Sequence, residues 1–100
     1  MDFRETGSRF EAIEDGRVVG WLIYRDEGDG VLALNHTIVP DSGHGIGSAL
    51  VKHVLEEVEA RGGSVVPNCP FVRSYIADHP EFADLVVLSD DDQNTSLFGI

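Results

Sequence analysis

Polar and apolar positions alternate at the start of this 100-residue chain and then switch to a helical period. Arg9, Phe10, Glu11, Ala12, Ile13 and Glu14 follow the period-two pattern of a strand with one covered face. Asp15-Gly16 comes next, a dipeptide suited to a two-residue hairpin turn. Residues 17–24 read as the return strand, with Trp21 and Tyr24 packing on the sheet rather than stacking on a ligand. The run from Asp26 to Gly30 predicts a second, looser turn. It leads into a strand over 31–39 that is dense in aliphatic and β-branched residues. The first 39 residues thus predict an antiparallel meander.

Beyond Pro40 the period changes. Ile46, Leu50, Val51, Val54, Leu55 and Val58 recur at helical spacing on one face. Arg61-Gly62-Gly63 supplies a basic last turn and a C-cap glycine, and Val65-Val66-Pro67 is a short second strand. A strand, crossover helix and strand of this length make a right-handed βαβ unit, with the carboxyl ends of both parallel strands on one edge. Open α/β sheets take ligands at that edge. The glycine turn at 43–47 and Asn68-Cys69-Pro70 both leave strands there, so a site is expected between them. A second helix follows, with Phe71, Val72, Tyr75 and Ile76 on one face, Pro70 at its first position and His79-Pro80 ending it. Residues 85–88 read as a last short strand or extended segment, and 89–100 as a polar, frayed tail. The expected class is α/β (α+β): one domain with a core over about 8–88, no repeat and no linker.

Charge narrows the partners. Acidic residues number 18 against 7 basic ones, a formal net charge of −11. Such a chain repels nucleic acid and anionic membranes, tolerates cationic partners, and stays soluble in salty cytoplasm. No apolar run reaches the roughly 18 residues of a membrane span, and the acidic start is unlike a signal peptide, so a cytoplasmic protein is expected. The single cysteine excludes an internal disulfide.

The candidate chemistry lies at the strand ends. Gly43, Gly45 and Gly47 let backbone approach an anion, and the helix behind them offers unpaired N–H groups and a positive dipole end, suited to pyrophosphate; the same glycines also serve an ordinary tight turn. His44 in that turn touches phosphate or only water. Gly47-Ser48-Ala49 lacks the lysine of a P-loop, and Asn68 stands where a dinucleotide fingerprint wants an acid. Cys69, at or beside the N-cap of the second helix, is either an activated thiol or a small buried filler. Tyr75 donates a proton to a leaving group or simply packs. His36, three residues before its strand ends, serves as general base or hydrogen-bonds within the sheet. His53 and His79 read as surface or capping residues. No metal-ligand spacing is present, so no metal is expected.

Three stretches together resemble a known family: His36-Thr-Ile-Val-Pro40, Gly43-His-Gly-Ile-Gly-Ser-Ala-Leu-Val51, and the run from Cys69 to Phe82. They resemble the small YjdJ-type proteins of the GCN5-related N-acetyltransferase (GNAT) superfamily, over roughly residues 8–88. The resemblance implies a minimal GNAT-like fold without the amino-terminal helices and last strands of larger relatives. It implies acetyl-CoA binding, with pyrophosphate on Gly43, His44, Gly45, Ile46, Gly47 and Ser48, and pantetheine between the parallel strands beside Asn68. Amides of Ile38 and Val39 would polarise the thioester carbonyl. His36 and Cys69 match the family's usual catalytic pair. Two departures stand out: Ile38 replaces a usual glutamate, and Pro40-Asp41-Ser42 is a shortened loop without the usual Arg or Gln. Losing one charge-assisted hydrogen bond, worth about 1.5–3 kcal/mol, weakens CoA binding about ten- to a hundredfold.

The expected activity is acetyl transfer from acetyl-CoA to an amine, a small molecule or a basic peptide, with His36 as base, Cys69 as acetyl carrier or proton donor, and Tyr75 as a further acid. The alternatives are a CoA-binding module without catalysis, or a small interaction domain, monomeric or weakly dimeric through the exposed meander edge.

Overall fold

The computed structural model describes residues 1–40 and 45–87. Strands β1 (Asp2–Glu5), β2 (Arg9–Glu14), β3 (Arg17–Gly28) and β4 (Val31–Ile38) form an antiparallel meander. Helix α1 (Ile46–Ala60) crosses to β5 (Ser64–Pro67), which pairs with β4 in parallel. Helix α2 (Pro70–Asp78) and a 3-10 helix (Pro80–Leu85) follow. The five strands stand in sequence order in one sheet. This is the α+β arrangement the periodicities predict: meander, βαβ unit, second short helix.

The β2–β3 and β3–β4 hairpins each close with two residues of positive φ, Asp15-Gly16 (52° and 79°) and Asp29-Gly30 (56° and 77°). Such pairs match the right-handed twist of the strands they join. The second turn is tighter than its composition suggests, because β3 keeps pairing as far as Gly28 opposite Val31. Strand β1 has no counterpart in the sequence reading; four edge residues with one apolar side chain have no period to detect. Side chains hold it instead. Phe3 stacks on His53 of α1 with ring centres 4.2 Å apart. The Glu5 carboxylate accepts the Tyr24 hydroxyl at 2.7 Å and pairs with Arg61.

The core lies on one face of the sheet, where Leu22, Leu34 and Val65 meet Leu50, Val54 and Leu55 of α1, all fully buried. Val72 and Ile76 of α2 and Phe82 of the 3-10 helix join the same cluster. Phe71 departs from the expected apolar face of α2 and is 43% exposed. Leu85 closes the 3-10 helix rather than opening a strand, and only Val86 forms a single parallel bridge, to Val65. Leu88 and the expected tail lie outside the described residues. Among those described, no helix is long and apolar enough to cross a membrane.

The β1 contacts carry a pH signature. Hydrogen bonding from Arg61 holds the Glu5 carboxyl below its ordinary value, and Arg4 does the same for Glu11, each against a smaller upward push from burial. Glu11 is almost wholly covered, but by the two arginine side chains lying over it rather than by deep packing. A depressed folded pKa means stability that is present above the unfolded carboxylate pKa, near 4.3, and is lost as pH falls through the folded value. Melting temperature should therefore fall between about pH 4 and pH 2, and the drop should be shallower in Glu11→Gln. Equal slopes in the two proteins, followed by circular dichroism, would sink this account.

Candidate active site

Strands β4 and β5 pair only from Val31 to Leu34, after which β5 stops at Pro67 while β4 runs on to Ile38. The two parallel strands part there, and the gap is the carboxyl-end edge of the sheet. A bulge sets what faces it. Tyr24 opposes Leu34 and Ile23 opposes His36, so Asn35 is an extra residue on β4. One inserted residue reverses the faces beyond it. Thr37 therefore lies opposite buried Leu22, on the helix side of the sheet. His36 and Ile38, opposite Ile23 and Trp21, turn to the other side.

Short contacts fix the fork. The Cys69 amide donates to the Leu34 carbonyl at 2.9 Å, and Asn68 Nδ2 donates to Asn35 Oδ1 at 2.9 Å. Arg73 reaches back from α2 to the carbonyls of Pro67 and Asn68 at 3.1 and 2.8 Å.

A cleft of about 380 Å³ opens beside this fork, lined by Thr37 and Val39 of the β4 end, Gly45 to Ser48 at the start of α1, and Phe71 of α2. Gly45 is the N-cap of α1 at φ 72°, a left-handed conformation that favours glycine. Among the described residues no side chain caps this helix and no acid stands in its first turn, so its first-turn amides suit a guest with negative charge. A Cβ at Gly47 would press on the Phe71 ring, 3.0 Å from Cζ, so glycine lets that ring close over the start of α1. The backbone is thus bare where an anion would seat.

Cys69 is the N-cap of α2, as its sequence position suggests, and is buried with Sγ 3.5 Å from the Thr37 hydroxyl. Burial pushes the thiol up, but the Thr37 hydroxyl and the nearby amides of Val72 and Phe71 outweigh it, so the thiol lies below its ordinary value. Those amides make no formed cap hydrogen bond to it. Tyr75 lies elsewhere. It is buried, stacked on His79 at 3.9 Å, and burial raises its phenol.

Val39, Gly45, Ile46, Gly47 and Ser48 therefore meet in one wall, with Cys69 one contact behind it through Thr37. Asn68 ties the fork from outside the wall, His36 and the Ile38 side chain face away from it, and Tyr75 belongs to the core. Gly43 and His44 lie outside the described residues. Thr37 and Phe71 are the wall residues that sequence reasoning passed over. The polar pair Asn35-His36 interrupting an apolar strand was the only sign of the bulge that aims Thr37 inward. Among the described residues, no group of three or more His, Cys, Asp or Glu gathers as a metal site would need.

Comparison with known proteins gives two findings. The family model for GCN5-related N-acetyl-transferase matches residues 9–85. The fold is similar to an NMR structure of a Staphylococcus aureus protein described as GCN5-like, with a TM-score of 0.67 at 17% identity, over 89% of this chain and 90% of that one. No curated protein sequence matches significantly.

Proposed function

Since the chain belongs to the GCN5-related N-acetyltransferase family, we propose that it takes an acetyl group from acetyl-CoA and passes it to an amine. The observation that carries this reading is the cleft itself: an α1 N-terminus that no described side chain caps, bare backbone at Gly47, and apolar walls at Val39 and Phe71 beside Thr37. These residues fit the ligand. Amides of Ile46, Gly47 and Ser48, with the Ser48 hydroxyl, hold the pyrophosphate, and Gly43 and His44 would extend that cradle. When bound, acetyl-CoA supplies an activated acetyl thioester. Amides of Ile38 and Val39 at the end of β4 orient and polarise its carbonyl. Cys69 Sγ, with its proton held loosely beside Thr37, is the group placed to give up or receive a proton at the reacting end. His36 reaches the cleft only around the strand through water, so we assign it no direct contact. The acidic surface favours a cationic acceptor, such as a polyamine or a basic peptide.

A second reading is favoured by one observation: the described cleft wall holds no titratable side chain. On that reading the chain binds CoA without turning it over. Calorimetric titration with acetyl-CoA and free CoA, followed by CoA-release assays with a panel of amines, separates the two. Micromolar binding with CoA release that falls at least about tenfold in Cys69→Ala is the expected result, since a positioned proton donor is worth about a hundredfold or more. Binding without release from any amine would select the second reading, and no binding by folded protein would remove both.

A further inference from the structure

Two side chains of the described cleft wall carry a hydroxyl, Ser48 in the first turn of α1 and Thr37 near the end of β4. Ser48 stands with the α1 amides, where an anion is suited. Thr37 directly precedes Ile38 and Val39, whose amides face the thioester carbonyl on the transferase reading. It is half-buried and has two different neighbours. On one side it lines the cleft; on the other its Oγ1 lies 3.5 Å from Cys69 Sγ. Cys69 is 6% exposed and stands behind the described wall rather than in it. Backbone bonds keep it there: its amide donates to the Leu34 carbonyl at 2.9 Å, and its carbonyl accepts the Arg73 amide at 3.1 Å. The Asn35 bulge puts Thr37, rather than His36, between this thiol and the cleft. A nucleophile needs a clear approach to about 3–3.5 Å. A sulfur screened by a hydroxyl lacks that approach, but it can pass a proton through the hydroxyl.

We propose that Thr37 is the catalytic residue that meets the CoA sulfur, and that its hydroxyl relays the Cys69 proton to it. The assignment rests on the transferase reading above. A threonine hydroxyl donates one hydrogen bond while it accepts another, so it can serve a sulfur on either side at once. As the amine attacks, the thioester C–S bond breaks and its electron pair stays on the CoA sulfur. The Thr37 O–H proton moves to that sulfur, and the Cys69 S–H proton moves to the Thr37 oxygen in the same step. Thr37 ends as a hydroxyl, and the negative charge comes to rest on Cys69 Sγ. Burial opposes charge there, but the Thr37 hydroxyl and the amides of Val72 and Phe71 outweigh it. The acetylated amine gives its surplus proton to water, and Cys69 takes one back from water through Thr37 once CoA has left. Acetyl-CoA and amine thereby give N-acetylated amine and free CoA, with the protein unchanged. Cys69 carries no acetyl group on this path.

Cys69 is the only cysteine, so thiolate absorbance followed against pH reads it alone, without ligand. Its midpoint should rise in Thr37→Val and return in Thr37→Ser. CoA release with the amine panel should fall about a hundredfold in Thr37→Val, at unchanged calorimetric affinity for acetyl-CoA, and largely recover in Thr37→Ser. Thr37→Val combined with Cys69→Ala should lose no more than the larger single loss, because residues on one proton path act as a unit. Equal thiolate midpoints in wild type and Thr37→Val would overturn the relay, whether or not the protein turns over. So would wild-type CoA release in Thr37→Val, or an acetyl group found on Cys69 during turnover, with the transferase reading left standing in both cases. A folded wild type that releases no CoA would remove the transferase reading, and the relay with it.

Discussion

Gly63→Ala is expected to lower the melting temperature by on the order of 15 °C, more than a methyl group added at any other described glycine. A Cβ built on Gly63 falls 2.5 Å from the Gly30 carbonyl oxygen and 3.3 Å from Val58 Cγ1. Neither neighbour is free to move. Gly30 O accepts the Ser64 amide at 2.9 Å, and Gly63 N is itself committed to Val58 O at 2.9 Å. That second bond, with Gly62 N on Glu59 O at 3.0 Å, closes α1 in a Schellman motif. The added methyl group must therefore push β5 away from β4 or undo the end of α1. Overpacking of this kind costs about 3 kcal/mol. Domains of this size have about 5–15 kcal/mol in all. Gly62→Ala is the natural comparison: Gly62 holds φ 71° with open space around its Cβ, so only the conformational cost of about 1 kcal/mol applies. If Gly63→Ala melted no lower than Gly62→Ala, the tight approach of β4 and β5 at their amino ends would be wrong. Ser64 pairs with Val31 directly after this contact, so the clash also disturbs the register that ends in the fork at Leu34 and Pro67.

The elements with a strong period were legible from residues alone. Six apolar positions from Ile46 to Val58 defined α1, and all six are buried. Asp15-Gly16 marked its hairpin because few other dipeptides accept two positive φ angles. What escaped has a physical reason in each case. Strand β1 is held by Phe3 on His53 and by Glu5 on Tyr24 and Arg61, contacts between residues far apart in sequence. The Asn35 bulge exchanged the faces of Thr37 and His36, because strand alternation has no memory across an inserted residue. A reading that continues Leu32 and Leu34 in steps of two puts His36 on the helix side; the structure puts Thr37 there. Phe71 looked like core by its helical spacing, but α2 is only nine residues long and its first turn projects over Gly47, beyond the sheet's reach. The site's location was thus readable from topology, while the side chains aimed into it depended on one bulge.

Ser48→Asp should separate stability from ligand binding. Ser48 is the third residue of α1, exposed and in the cleft wall, and the first turn of this helix carries no acid. A carboxylate there meets the positive end of the helix dipole and should stabilise the fold by about 0.5 kcal/mol. On the reading that the α1 amides hold a pyrophosphate, the same carboxylate stands about 5 Å from it. Two like charges at that distance repel by about 3 kcal/mol at an effective dielectric constant of 20. Acetyl-CoA should then bind about a hundredfold more weakly, by calorimetry, to a protein that melts no lower than wild type. Ser48→Ala removes only a hydroxyl contact of about 1 kcal/mol, so it should cost about fivefold. This ordering is hard to obtain by accident, because most substitutions that weaken binding also weaken the fold. Wild-type affinity in Ser48→Asp would mean that the helix terminus is not the anion's seat, even if acetyl-CoA binds elsewhere along β4. A parallel loss of stability and affinity would instead mean that Ser48 supports the cleft by packing, and the electrostatic account of the cradle would fall.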